Sequence, residues 1–221
     1  MGINKLVIFG RGPVAQIAND YFTDDSDLEV VAFCLDKKYI ESDSYEGKPM
    51  VCFEDIQELY PPEKHQMFIA LSYTEMNKFR ERKYLEAKEK GYRLTSYISS
   101  KCSYLSKYEC GDNCFIFEDN TIQPYVKIGN NVTLWSGNHI GHHSVIKDHN
   151  FISSHVVISG HCTINSNCFL GVNATLGHQV VLAKGSLLGA GVVVSKNTEE
   201  NGVYVAPRSV KLNKPSNKIK L

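Results

Sequence analysis

From Ile116 to Val194 a branched aliphatic stands at every sixth position without a break: Ile116, Ile122, Ile128, Leu134, Ile140, Ile146, Ile152, Ile158, Ile164, Leu170, Leu176, Leu182, Leu188 and Val194. Four residues after each, the side chain is small or β-branched (Val126, Val132, Ser144, Val156, Cys162, Cys168, Ala174, Val180, Ser186, Val192), with Asn120, Asn138 and Asn150 the exceptions. A period of six suits neither a helix, at about 3.6 residues per turn, nor an alternating strand, at about 2. It suits a chain that makes a corner every six residues: a hexapeptide β-helix whose three faces close one coil in about eighteen residues. The aliphatic points into the prism and the small residue packs behind it. A sandwich of alternating strands would instead place turn signals at irregular intervals of about 8–12 residues.

The chain before about residue 95 has a different texture. KLVIF (5–9), LEVVAFCL (28–35), MVCF (50–53) and MFIAL (67–71) have the content of buried parallel strands. Pro13 to Phe22, Glu54 to Tyr60 and Thr74 to Lys90 are helix candidates between them, the last with Thr74 as cap and Gly91 as terminator. Strand alternating with helix predicts a small, Rossmann-like parallel α/β sheet in residues 1–95, followed by the β-helix in residues 96–221. Past Val194 the period ends in a polar stretch with several lysines, as a terminal cap requires.

Composition narrows the function. Lys plus Arg equals Asp plus Glu, 24 of each, so no basic surplus exists for nucleic acid or an anionic membrane. No apolar run reaches the length of a spanning helix, which predicts a cytoplasmic protein without membrane insertion. Seven cysteines without a C-x-x-C pair indicate neither a disulfide framework nor a structural zinc site.

Gly10-Arg11-Gly12-Pro13 follows a strand and opens a helix, where backbone N–H groups face a phosphate. Ala15 takes the third position of the dinucleotide fingerprint, and Asp36 ends the second strand where a ribose-contacting acid is expected. The same glycines serve a plain strand-to-helix turn equally well. Seven of the eight histidines lie in the repeat. At eighteen residues per coil, Pro124, His142, Gly160 and His178 form one column, and Tyr125, His143, His161 and Gln179 the next, at the same corner. His155 stacks with Gly137 and Asn173. His139 and His149 read as polar corner residues facing water, and His178 as either a corner filler or a neighbour of the site.

The hexapeptides, VIFGRGPVAQIA near the N-terminus and GHHSVIKDHNFISSHVVISG (141–160) together resemble the bacterial sugar acetyltransferases grouped with sialic acid O-acetyltransferase, over nearly all 221 residues. That resemblance implies a left-handed parallel β-helix, a homotrimer, and acetyl-CoA as co-substrate. It further implies N-acetylation of a nucleotide-linked (UDP, dTDP or GDP) 4-amino-4,6-dideoxy sugar for bacterial surface polysaccharide. His142 matches the family's general base, and Gly160 the position whose N–H meets the acetyl carbonyl. Ala190 and Gly191 fall along the pantetheine arm. Gly10, Arg11, Gly12, Pro13, Asp36, Ser72 and Tyr73 fall near the nucleotide-sugar, and His155 and Asn173 in the sugar pocket. The sequence departs from the family in two places: a usual His-Glu pair reads His142-His143, and a usual His-Pro reads Ser99-Ser100. His143 then either shares the base role or fixes the tautomer of His142, with water, a backbone carbonyl or Asp148 as other orienting groups.

Sugar O-acetylation uses the same base and acyl donor; a NAD-dependent oxidoreductase and a catalytically silent scaffold are the remaining classes. No metal is expected. Three-histidine zinc centres of β-helix carbonic anhydrases need a third ligand five residues beyond His178, where this chain has Ala183.

Overall fold

The computed structural model describes residues 4–219. Its N-terminal part runs β1 (Lys5–Phe9), α1 (Pro13–Asp24), β2 (Glu29–Leu35), β3 (Ser44–Tyr45), β4 (Lys48–Cys52), α2 (Ile56–Leu59), β5 (Gln66–Ile69), α3 (Lys78–Glu89) and β6 (Arg93–Leu94). The sheet order is β3-β4-β2-β1-β5-β6, parallel except for the β3–β4 hairpin. Each of the four apolar runs in the sequence forms a strand, because β-branched and aromatic residues buried on both faces favour a central parallel sheet.

The third helix starts later than Thr74 suggests. Glu75, Met76 and Asn77 take left-handed backbone conformations (φ 54°, 52° and 66°), so the helix begins at Lys78 with Asn77 at its cap. Asn77 is fully buried, and its amide donates to the carbonyl of Cys168, ninety-one residues away. That contact with the rest of the molecule sets the start of the helix.

From Tyr97 onward the chain winds through two-residue strands on three faces, an arrangement that fits a left-handed β-helix. All fourteen periodic aliphatics are the second residue of such a strand, and all are buried. Strands pair in register with those eighteen residues away, as Thr121 with His139 and Phe115 with Thr133. Three of the seven cysteines, Cys114, Cys162 and Cys168, fill the prism core. The exceptional asparagines are buried too and bond up the stack: Asn120 Oδ1 accepts the Asn138 N–H (3.2 Å), Asn138 Oδ1 the Val156 N–H (2.7 Å) and Asn150 Oδ1 the Cys168 N–H (2.7 Å). Past Val194, Val203–Tyr204 adds one more strand above Leu187–Leu188.

Every sixth residue from Asn113 to Gly191 has φ between 53° and 77°. These are the corners. Asparagine, aspartate, histidine and glycine tolerate this conformation best. His143, His149, His155 and His161 all occupy such corners, which accounts for four of the seven histidines in the repeat.

The α/β part packs on the face formed by Tyr97–Ile98, Phe115–Ile116, Thr133–Leu134, Phe151–Ile152 and Phe169–Leu170. Arg80 of α3, 1% exposed, donates to Thr133 Oγ1 (2.6 Å), Asn77 Oδ1 (2.9 Å) and the Asn150 carbonyl (3.0 Å). Burial without a carboxylate partner pushes its pKa down to about 10. Tyr73 lays its ring against Phe151 and Phe169, with centroids 4.9 and 4.6 Å apart. His149 is under α3 rather than facing water: its ring lies 5.4 Å from that of Tyr84, and Asn131 Nδ2 donates to its Nδ1 (2.9 Å). His139, by contrast, is no corner residue, being the first residue of the strand His139–Ile140.

Candidate active site

The corner opposite the covered face carries His142, His143, His161 and His178, all exposed. Parallel coils bring them together by register alone. The rings of Tyr125 and His143 stack at 4.6 Å, and those of His143 and His161 at 4.8 Å with only 10° between planes. His142 stands edge-on to both His143 and His161, at 5.3 and 5.1 Å, and His178 is 5.5 Å from His161. Neighbouring imidazoles and partial loss of solvent hold the His161 pKa below the ordinary histidine value, with desolvation the larger cause.

His142 is fixed from three sides. Its backbone N–H donates to Gln123 Oε1 (2.8 Å), and its carbonyl accepts the His161 N–H (2.9 Å). Its Nδ1 lies 3.1 Å from Nδ1 of His143, a contact that is a hydrogen bond when one of the two nitrogens carries a proton. The far edge of the ring lies over Gly160, where a Cβ would stand 2.8 Å from both Cε1 and Nε2. The missing side chain at Gly160 leaves room for the ring, in the same column as the register places it.

Gly141 is a site residue that the sequence reading missed. Gly160 is buried, and among the described residues no acceptor meets its N–H. The N–H of His142, one coil below, is covered by the side chain of Gln123; the matching residue for Gly160 is Gly141, which has none. A Cβ at Gly141 would sit 2.5 Å from that nitrogen. The spacing of nineteen between Gln123 and His142, repeated between Gly141 and Gly160, was the available signal. A backbone donor without an acceptor beside an imidazole nitrogen is a pairing that can stabilise a tetrahedral oxyanion and move its proton.

The other candidate residues lie elsewhere. His155, Asn173, Ala190 and Gly191 share a different corner, where the His155 ring covers Gly137, Gly191 has φ 68° and a Cβ built on Gly191 would meet nothing within 4 Å. Asp148 does not orient His142: its carboxylate accepts the Asn130 N–H (2.7 Å) at the third corner. Ser99 is buried and the Ser100 N–H donates to Asp25 (2.8 Å), far from the histidine corner in the first coil.

In the α/β part, Gly10 has φ 145°, and a Cβ there would lie 2.6 Å from the Ala70 carbonyl oxygen; Gly12, φ 133°, caps α1 and donates its N–H to the Tyr45 hydroxyl (3.0 Å). Pro13 is the first residue of that helix, and Arg11 pairs with Glu41 across its mouth (2.6 Å). Gly12, Arg11, Lys38, Tyr39 and Leu71 line an open cavity of about 640 Å³, and Ser72 and Tyr73 continue from its rim. Asp36 is turned to a different task, receiving Lys83 Nζ at 2.5 Å in a largely buried ion pair whose lysine also reaches Glu86.

Comparison with known proteins agrees with this architecture. A family model described as the GMPPB C-terminal domain matches residues 110–219. No curated protein matches the sequence. Among solved structures, PerB from Caulobacter crescentus in complex with CoA and GDP-perosamine superposes with TM-score 0.80 at 18% identity, covering 93% of this chain and 95% of that one. The acetyltransferase domain of PglB from Neisseria gonorrhoeae gives 0.77 at 17%, covering 92% and 97%. WeeI from Acinetobacter baumannii gives 0.78 at 18%, covering 91% and 96%. At these identities the likeness is one of fold, extending over both parts of the chain. Among the described residues no helix is long and apolar enough to cross a membrane.

Proposed function

We propose that this protein is an acetyl-CoA-dependent N-acetyltransferase acting on the amine of a nucleotide-linked amino sugar in the cytoplasm. The observation that carries the reading is the placement of the His142 Nε2 edge over Gly160, beside a backbone N–H left uncovered by Gly141. It is supported by the acetyltransferase folds that superpose on the whole chain, one of them described with CoA and GDP-perosamine bound.

The chemistry follows from the geometry. With Nδ1–H of His142 donating to Nδ1 of His143, the lone pair of His142 is on Nε2. The sugar amine attacks the thioester carbonyl, His142 Nε2 takes the amine proton, and the oxyanion receives the Gly160 N–H. Collapse breaks the C–S bond, and the imidazolium returns its proton to the departing thiolate. His143 thus occupies the place of a carboxylate as orienter.

The α/β part, residues 1–95, is in this reading a Rossmann-like nucleotide-sugar unit with its cavity at Gly10–Pro13, and residues 96–221 are the acyl-transfer unit. Because the α/β part covers the face opposite the histidine corner, its bound substrate reaches the base of a second copy, and the corner with Ala190 and Gly191 supplies the CoA side of the neighbouring site. A homotrimer provides this closure. Occupation of Asp36 by Lys83 disfavours the NAD reading, which needs that acid for a ribose.

The test incubates the purified chain with acetyl-CoA and UDP-, dTDP- and GDP-linked 4-amino sugars, following thiol release and product mass. Acetylation of one amine is the expected result. Thiol release only on a hydroxyl acceptor moves the protein to O-acetylation, and no release on any acceptor refutes acetyl transfer.

A further inference from the structure

We propose that His142, His143 and His161 form a transition-metal site of zinc type, and that an ion held there switches off the His142 base. The three side chains each offer a ring nitrogen, and these atoms all lie within 4.8 Å of one another. Two of them, Nδ1 of His142 and Nδ1 of His143, are already 3.1 Å apart. Zinc–nitrogen bonds of about 2.0–2.1 Å at a tetrahedral centre put ligand nitrogens about 3.3–3.4 Å apart, so this pair needs an adjustment of only a few tenths of an ångström.

The frame is stiff where it has to be. His143 and His161 occupy equivalent corners with φ 60° each, which fixes their backbones one coil apart; their rings are stacked within 10° of parallel, so one of them turns about its side-chain bonds to bring both lone pairs onto one ion. The His161 N–H is tied to the His142 carbonyl and the His143 N–H to that of Pro124 (3.3 Å). The backbone of the cluster is thus in place, and ligation is completed by side-chain rotation. The cluster is exposed, so entry is open. Its donors are all imidazoles, a set suited to zinc, nickel and copper and poor for magnesium or calcium. Water or His178, the ring next to His161, is available for the fourth position.

This arrangement differs from the three-histidine centre considered from the sequence, whose ligands are stacked two coils apart. Here all three come from one corner of one chain, and two are adjacent in sequence. The consequence for His142 is chemical rather than steric. Binding a metal through Nδ1 leaves the ring proton on Nε2, the nitrogen over Gly160. A ring protonated there cannot accept a proton from an amine. The silencing half of the inference rests on the acetyl transfer proposed above; the binding half does not.

The experiment titrates zinc, in competition with a chromophoric chelator, into the full-length chain freed of any histidine tag. One ion per chain with Kd of about 1 µM or tighter is expected. His161→Asn should weaken binding at least about tenfold, since three ligands become two, and His161→Gln serves as the second variant because Gln179 already sits at the next such corner with φ 62°. Both should keep acetyl transfer in chelator-treated buffer and resist zinc, whereas zinc should abolish it in the wild type. No binding at about 100 µM zinc, or equal binding by wild type and both variants, overturns the site. Binding that the variants weaken while wild-type transfer continues in saturating zinc overturns the switch. Absence of acetyl transfer in every sample leaves the titration to decide the site and refutes the function on which the switch depends.

Discussion

Adding one methyl group at Gly160 tests the catalytic geometry more sharply than removing His142. A Cβ there would lie 2.8 Å from Nε2 and Cε1 of His142, where ordinary contact begins at 3.4 Å, so the ring must retreat by about 0.6 Å. The Nδ1–Nδ1 contact with His143 is 3.1 Å long, and a shift of that size disturbs it. The same methyl intrudes beside the Gly160 N–H. Misplacing a reacting group by up to about 1 Å costs about 10²-fold in rate, equivalent to about 2.7 kcal/mol of barrier. Gly160 has no left-handed φ and His142 is exposed, so the variant should fold with a stability change within about 0.5 kcal/mol. The assay is steady-state thiol release with the acceptor found in the panel, beside a thermal melt and an acetyl-CoA binding isotherm. Gly160→Ala with wild-type kcat would refute the placement of the base against this glycine.

Four further outcomes are expected. His142→Ala should lower kcat by about 10² to 10⁴-fold with acetyl-CoA affinity little changed, read by the same assay and isotherm. Asn138→Ala leaves the buried Val156 N–H without its acceptor and removes a bond to the Trp135 carbonyl, which should cost about 2 kcal/mol, a Tm fall of about 4–8 °C in a chain of this size. Gly10→Ala should melt well below Gly12→Ala, because both strain a positive φ but only the first meets a backbone oxygen, at 2.6 Å, while a Cβ at Gly12 meets nothing within 4 Å. His149 has its pKa lowered, chiefly by burial, so below its unfolded value of about 6.5 the unfolded chain binds more protons than the folded one; stability should be level above pH 7 and decline as pH falls toward 5, and His149→Asn should flatten that slope in pH-dependent denaturant titrations.

The β-helix was legible because its constraint is local: an aliphatic must enter the prism at every turn, so the period is written into every six residues. Register followed from the same count, which is why counting by eighteen alone puts His142, His143 and Gly160 at one corner. The left-handed corners were just as periodic, in Asn, Asp, His and Gly apart from Tyr125 and Gln179, yet their chemistry was read one histidine at a time, and buried His149 was misplaced in solvent. The docking of the α/β part depends on contacts such as Arg80 with Thr133 and Tyr73 with Phe169, far apart along the chain. It left one trace in the sequence. Phe115, Phe151 and Phe169 are outward-facing strand residues at multiples of eighteen, all on one face, and an aromatic ladder of that kind needs a cover. Nothing comparable announced that Asp36 would be claimed by Lys83, since either partner alone reads as a surface charge.

The eighteen-residue register also fixes which changes of length this molecule can absorb. Removing or duplicating one whole coil would leave every aliphatic pointing inward and every corner on its vertex. The meaning of the histidine vertex would change all the same: excising residues 145–162 would seat His178 directly over His142 and delete the glycine that makes room for it. A gain or loss of any number not divisible by six would turn side chains out of the prism at once. The scaffold therefore accepts new lengths in quanta, and its chemistry can be reset by one such step without any repair to the core.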